Sequence, residues 1–115
     1  MTIQYKNIGY SLATTNVTNL ITVDDSSRAI IKGFTLANEH NNNVDAHVYF
    51  HDSSDSNTSH VVYHKAISSD TTEYPLNNEP LNLEEGDSLK IQVDNAGTCA
   101  GIISYALINR SQENG

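Results

Sequence analysis

Apolar residues recur along this chain at spacing two, in short runs separated by clusters of Asp, Asn, Ser and Gly. That period marks half-buried strands, whose side chains alternate between a core face and a solvent face. No run shows the three-and-four spacing of an amphipathic helix. The pattern predicts strands near 3–14, 17–23, 28–38, 44–51, 60–67, 72–76, 80–84, 88–94 and 99–109. The breaks fall at Asp24 to Ser27, Asn41 to Asn43, Asp52 to Ser59, Ser68 to Asp70, Glu85 to Asp87 and Asp94 to Gly97. Many short strands at this spacing predict an all-β fold, an antiparallel β-sandwich of jelly-roll-like type. With 115 residues, no internal repeat and no linker, the whole span 1–115 reads as one domain.

Three strands carry most of the information. In 44–51, Val44, Ala46, Val48 and Phe50 share one face and Asp45, His47, Tyr49 and His51 the other. In 88–94, Leu89, Ile91 and Val93 point inward and Ser88, Lys90, Gln92 and Asp94 outward. The last strand is apolar on both sides: Ala100, Ile102, Ser104, Ala106 and Ile108 alternate with Cys99, Gly101, Ile103, Tyr105 and Leu107. A two-layer sandwich covers only one face of a strand with its own core, so something else must cover the second. Loops are one solution and a subunit contact is the other. On the second reading, Ile103, Tyr105 and Leu107 form the expected interface.

Composition supports the β reading, because Asn, Ser and Thr are plentiful and suit turns and solvated strand faces. Fourteen acidic against six basic residues give a formal charge of −8. Such a surface repels phosphate backbones, and no Lys/Arg cluster reverses this locally, so no nucleic-acid partner is expected. No apolar stretch approaches a membrane span. The opening Met1-Thr2-Ile3-Gln4-Tyr5-Lys6 lacks the basic and then apolar regions of a signal peptide. Cys99 is the single cysteine, which excludes an intrachain disulfide. Together these features predict synthesis in a cytoplasm.

The histidines are the only concentrated reactive side chains. If 44–51 and 60–67 pair as a hairpin that matches Val44, Val48 and Phe50 to Ile67, Tyr63 and Val61, then His47 opposes His64 and His51 opposes His60. Directly opposed Cβ atoms lie about 4.5–5.5 Å apart, close enough for imidazoles to share a metal ion, and zinc accepts such ligands. The plainer reading is four exposed strand residues, and a pH-sensitive contact face is a third. Asp52 to Asn57 lacks the spacing and distal glutamate of a calcium loop and reads as a hairpin tip. Glu84-Glu85-Gly86-Asp87 reads as a tight turn rather than a carboxylate site. No nucleophile elbow or phosphate loop occurs, and Cys99 sits in an apolar strand where burial makes a thiol inert. No catalytic residue, no resident cofactor and no enzyme activity is therefore expected.

Arg28-Ala29-Ile30-Ile31-Lys32-Gly33-Phe34-Thr35-Leu36-Ala37-Asn38 resembles the TTAIVKSIxLxN strand of small bacteriophage virion β-sandwich proteins. Pro80 to Val93, PLNLEEGDSLKIQV, is similar to the PLxLEAGDSIxV stretch of that group, and Ile103 to Ile108 to its VSYLEI ending. The strand usually ending in YTVPA appears here as Ile21-Thr22-Val23-Asp24-Asp25, without the proline. The resemblance implies a non-enzymatic structural component of the virion, made in the host cytoplasm. A capsid decoration (cement) protein is the leading form, and a tail-associated or carbohydrate-binding module the alternative. It implies other virion proteins as partners, the major capsid protein first, and a homo-oligomer, with a trimer suggested by capsid symmetry.

Overall fold

The computed structural model describes residues 2–109, and among these the regular structure is entirely β. Ten strands follow one another: β1 (Thr2–Leu12), β2 (Thr18–Thr22), β3 (Ser27–Phe34), β4 (Leu36–Asn38), β5 (Val44–Asp52), β6 (Thr58–Ile67), β7 (Thr71–Glu73), β8 (Leu81–Leu83), β9 (Ser88–Val93) and β10 (Cys99–Asn109). They form two antiparallel sheets packed as a sandwich. In the larger sheet β10 is central. It pairs along its whole length with β1 on one side and with β3 and then β4 on the other, while β8 extends β3 and β7 extends β4. The smaller sheet runs β2-β9-β5-β6.

The alternation in the sequence is what fills the space between them. Val44, Ala46 and Val48 of β5 and Leu89, Ile91 and Val93 of β9 are all buried, facing Ile31, Phe34, Leu83 and Ile103 from the larger sheet. Burying a side chain of this size stabilises by roughly 1.5–3 kcal/mol, so this layer supplies the main driving force for the fold.

Two places depart from the simple pattern, each for a visible reason. The run 28–38 is two strands, because Thr35 interrupts the ladder. Its backbone N–H donates to Ile102 O at 3.0 Å, and its hydroxyl accepts from Ile102 N at 3.0 Å. The freed Thr35 carbonyl accepts the Tyr10 hydroxyl at 2.6 Å, and that bond passes over Gly101. A Cβ on Gly101 would run into the Thr35 carbonyl oxygen, with the Tyr10 hydroxyl only 2.6 Å away. The second place is the turn between β8 and β9. Gly86 adopts φ 83°, as a tight turn requires. Asp87 closes this turn from inside. It is 3% exposed, accepts Ser53 N at 3.1 Å and Ser53 Oγ at 3.3 Å through Oδ1, and Glu84 N at 2.9 Å through Oδ2. This carboxylate ties the β5–β6 loop to the β8–β9 turn.

Candidate functional site

Two surfaces stand out: the outer face of each sheet. In the larger one, the register of β1, β10 and β3 aligns Ile3, Ile108 and Arg28 in one row and Tyr5, Ala106 and Ile30 in the next. Residues paired this way project to the same side of a sheet. Ile3 is 47% exposed and Tyr5 76%, and the Lys32 ammonium stands 5.9 Å from the centroid of the Tyr5 ring. A polar row follows, in which the Ser104 hydroxyl donates to Asn7 Oδ1 at 2.6 Å. Beyond it Ile102 projects from β10 with 51% exposure, beside Gly9 of β1.

This arrangement corrects the expected interface. Ile103 is fully buried, Tyr105 is buried, and Leu107 packs against the same core. They are the face of β10 that the sandwich covers for itself, held there by pairing with Phe34, Ile31 and Ala29, respectively. The exposed apolar side chains lie on the opposite face: Ile102 of β10 with Ile3 and Tyr5 of β1, while Ala106 between Tyr5 and Ile30 is itself buried. Alternation alone showed that one face of β10 lacked a cover but not which face. The contribution of β1 was invisible because Ile3 and Tyr5 read as part of an ordinary strand.

The smaller sheet presents the histidines. His47 opposes His64 across β5 and β6, with ring centroids 3.7 Å apart and planes 17° from parallel. Asp45, two residues before His47 and therefore on the same face, places its Oδ2 3.1 Å from His64 Nε2. Ligand atoms of Asp45, His47 and His64 all lie within 4.8 Å of one another. On the other flank, Gln92 of β9 pairs with His47. Its amide is fixed by the Tyr49 hydroxyl, which donates at 3.1 Å, and by its own donation to Thr15 O at 3.1 Å. Thr15, Asp45, His47, Gln92 and Asp94 border a shallow depression that opens to solvent.

The other two histidines of this hairpin, His51 and His60, do not face each other. His51 pairs with Ser59 and lies 2.8 Å from its hydroxyl through Nδ1. His60 pairs with Phe50, stacks near its ring, and lies 3.4 Å from Asp55. The cause is a register shift of one residue between Val48 and Tyr49 that leaves Val62 as the extra residue of β6. From Val48 toward Val44, core packing sets the register that matches Val48 to Tyr63 and Val44 to Ile67. At the tip, Asp52 caps the turn through Ser54 N at 3.0 Å and Ser54 Oγ at 2.6 Å, closing the hairpin at Asp52–Thr58. The two registers differ by one, and the bulge reconciles them. Asp45 was missed as a partner of the pair, although its place on the histidine face was already legible.

Two further titratable groups are desolvated inside the sandwich. Cys99 is buried, and desolvation pushes its thiol pKa up. Burial also pushes the Tyr10 phenol well above its ordinary value.

No protein-family model and no curated protein matches the chain. Two solved structures share its architecture, and a third matches more weakly. A protein of Bacillus endospore appendages, which form disulfide-linked pili, matches with a TM-score of 0.55 and 9% identity, over 94% of this chain and 87% of that one. The Drosophila NLP core, whose structure bears on pentamer formation and histone binding, matches at 0.56 and 14%, over 92% of this chain and 99% of that one. A chain of the cyanophage Pam1 capsid matches at 0.36 and 14%, over 94% and 83%. What this chain has in common with the pilus and NLP structures is the fold.

Proposed function

We propose that this chain is a non-enzymatic structural protein of a bacteriophage virion, a capsid decoration (cement) protein that docks on the particle and stabilises it. The observation that carries the reading is the uncovered outer face of the larger sheet. Ile3, Tyr5 and Ile102 are each about half exposed or more. Completing their burial is worth on the order of 1–2 kcal/mol apiece, enough to favour a contact once several copies act together. The sequence resemblance of residues 28–38, 80–93 and 103–108 points to the same class. The expected partners are the major capsid protein and further copies of this chain, a trimer being the form that capsid symmetry favours.

Two features narrow the alternatives. The pilus neighbour assembles through disulfides, whereas the single cysteine here is buried, so assembly rests on non-covalent contacts. A carbohydrate-binding module would need grouped aromatic rings. The most exposed tyrosines, Tyr5 and Tyr74, instead lie at opposite edges of the larger sheet. The test is co-sedimentation of purified protein with particles lacking it. Wild type should bind, and the Tyr5→Ser/Ile102→Ser variant should not while keeping its β circular-dichroism spectrum. Absence of binding by wild type, or undiminished binding by the variant, would overturn the proposal.

A further inference from the structure

We infer that Asp45, His47 and His64 form a binding site for a divalent transition metal ion, zinc being the ion their chemistry suits best. Two imidazoles and one carboxylate are donors that zinc accepts, whereas calcium and magnesium prefer oxygen alone. The three side chains come from two adjacent strands of one sheet face. Asp45 and His47 are two residues apart on β5, and His64 is the cross-strand partner of His47 on β6. Strand geometry therefore fixes the three attachment points before any ion arrives.

Their ligand atoms already lie within 4.8 Å of one another. Zinc bonds of about 2.0–2.2 Å require donors roughly 3.4 Å apart in a tetrahedron. The most distant pair must close by little more than about 1 Å, a matter of side-chain rotation. The side chains of His64 and Asp45 are 52% and 41% exposed, which leaves them room to rotate. The pairing of His64 Nε2 with Asp45 Oδ2 at 3.1 Å shows that carboxylate and imidazole already converge. Three protein donors leave a fourth position, which the depression beside His47 keeps open to water. The ion would join β6, the edge strand of the smaller sheet, to β5 at a point where β6 is otherwise exposed. The site rests on geometry independent of the virion reading, so either can fail without the other.

The test is titration of the purified full chain with zinc chloride by calorimetry, alongside thermal unfolding with and without zinc. Expected are one ion per chain and, at about a hundredfold excess over Kd, a rise in Tm of roughly 10 °C. His47→Gln, His64→Gln and Asp45→Asn should each weaken binding at least about tenfold. His51→Gln and His60→Gln should bind as wild type does. Because these residues are surface-placed, each variant should keep the β spectrum. Cobalt should shift and broaden the imidazole NMR signals of His47 and His64 far more than those of His51, which lies about 13 Å further along β5. No zinc binding, or binding that survives loss of both His47 and His64, would overturn the inference.

Discussion

Replacing Asp87 with Asn changes almost no volume, yet the hydrogen-bond geometry predicts a large loss of stability. The carboxylate is 3% exposed and presents only acceptors. The backbone N–H groups of Ser53 and Glu84 donate to it, while the Ser53 hydroxyl divides its one proton between Asp87 Oδ1 at 3.3 Å and Glu85 O at 3.0 Å. Ser53 N and Oγ point at one oxygen and Glu84 N at the other. An amide supplies a single oxygen. Whichever way it is turned, its NH2 faces a backbone N–H that then has no acceptor. A hydrogen bond to a charged group contributes about 1.5–3 kcal/mol, and a buried donor left unpaired costs about 1–3 kcal/mol. The net expectation for Asp87→Asn is a loss of about 2–4 kcal/mol. Against a total margin of roughly 5–15 kcal/mol that is a severe defect. For a domain of this size it lowers Tm by about 10 °C. Urea and thermal unfolding measure it, with Asp25→Asn as a control that makes the same change in charge at an exposed loop residue. Ser53→Ala, which leaves the Ser53 N–H in place, should cost only about 1 kcal/mol. An Asp87→Asn protein that unfolds with the control would show that the carboxylate does not tie the two loops together.

Three further outcomes follow from the same structure. Gly101→Ala should cost at least about 2–3 kcal/mol by overpacking, and Tyr10→Phe in the same chain should not rescue it, because the nearest obstacle is the Thr35 carbonyl; a neutral Gly101→Ala in urea unfolding would contradict this. Cys99 should resist a thiol reagent in the folded protein and react on addition of denaturant, since it is buried and its thiol pKa is raised; rapid native labelling would show otherwise. The phenol of Tyr10 titrates above its ordinary value of 10.0, chiefly by desolvation and secondarily by the charge of Cys99. A raised folded pKa gives stability that is complete below the unfolded value and lost as pH rises above it, so unfolding should become easier above about pH 10. Tyr10→Phe should flatten part of that fall, and an unchanged slope would remove Tyr10 from the account.

The sheets were legible in the sequence because their signal is local. Val44, Ala46 and Val48 alternate with Asp45 and His47 on a period that only a half-buried strand explains, and the structure buries that apolar set. The pairing of His47 with His64 was legible too, since core packing of Val48 and Tyr63 sets it. The failures all needed long-range information. The bulge at Val62 arises from competition between a turn and a core, neither of which announces its register alone. Thr35 splits one apparent strand because its partners Ile102 and Tyr10 are distant in the chain. The apolar face of β10 that stays uncovered depends on where the second sheet lies, which alternation in one strand does not encode. That is why Tyr105→Ser and Leu107→Ser would damage the core, and why Tyr5 and Ile102 are the proper probes of docking.

The proposed virion role is tested most directly by locating the chain in intact particles. If the proposal holds, cryo-electron microscopy of phage particles that contain this chain should show a two-sheet sandwich at symmetry-related positions on the head. The β1–β10 face, with Ile3, Tyr5 and Ile102, should lie against a neighbouring subunit. Purified particles that lack this chain, confirmed by mass spectrometry, would contradict the account.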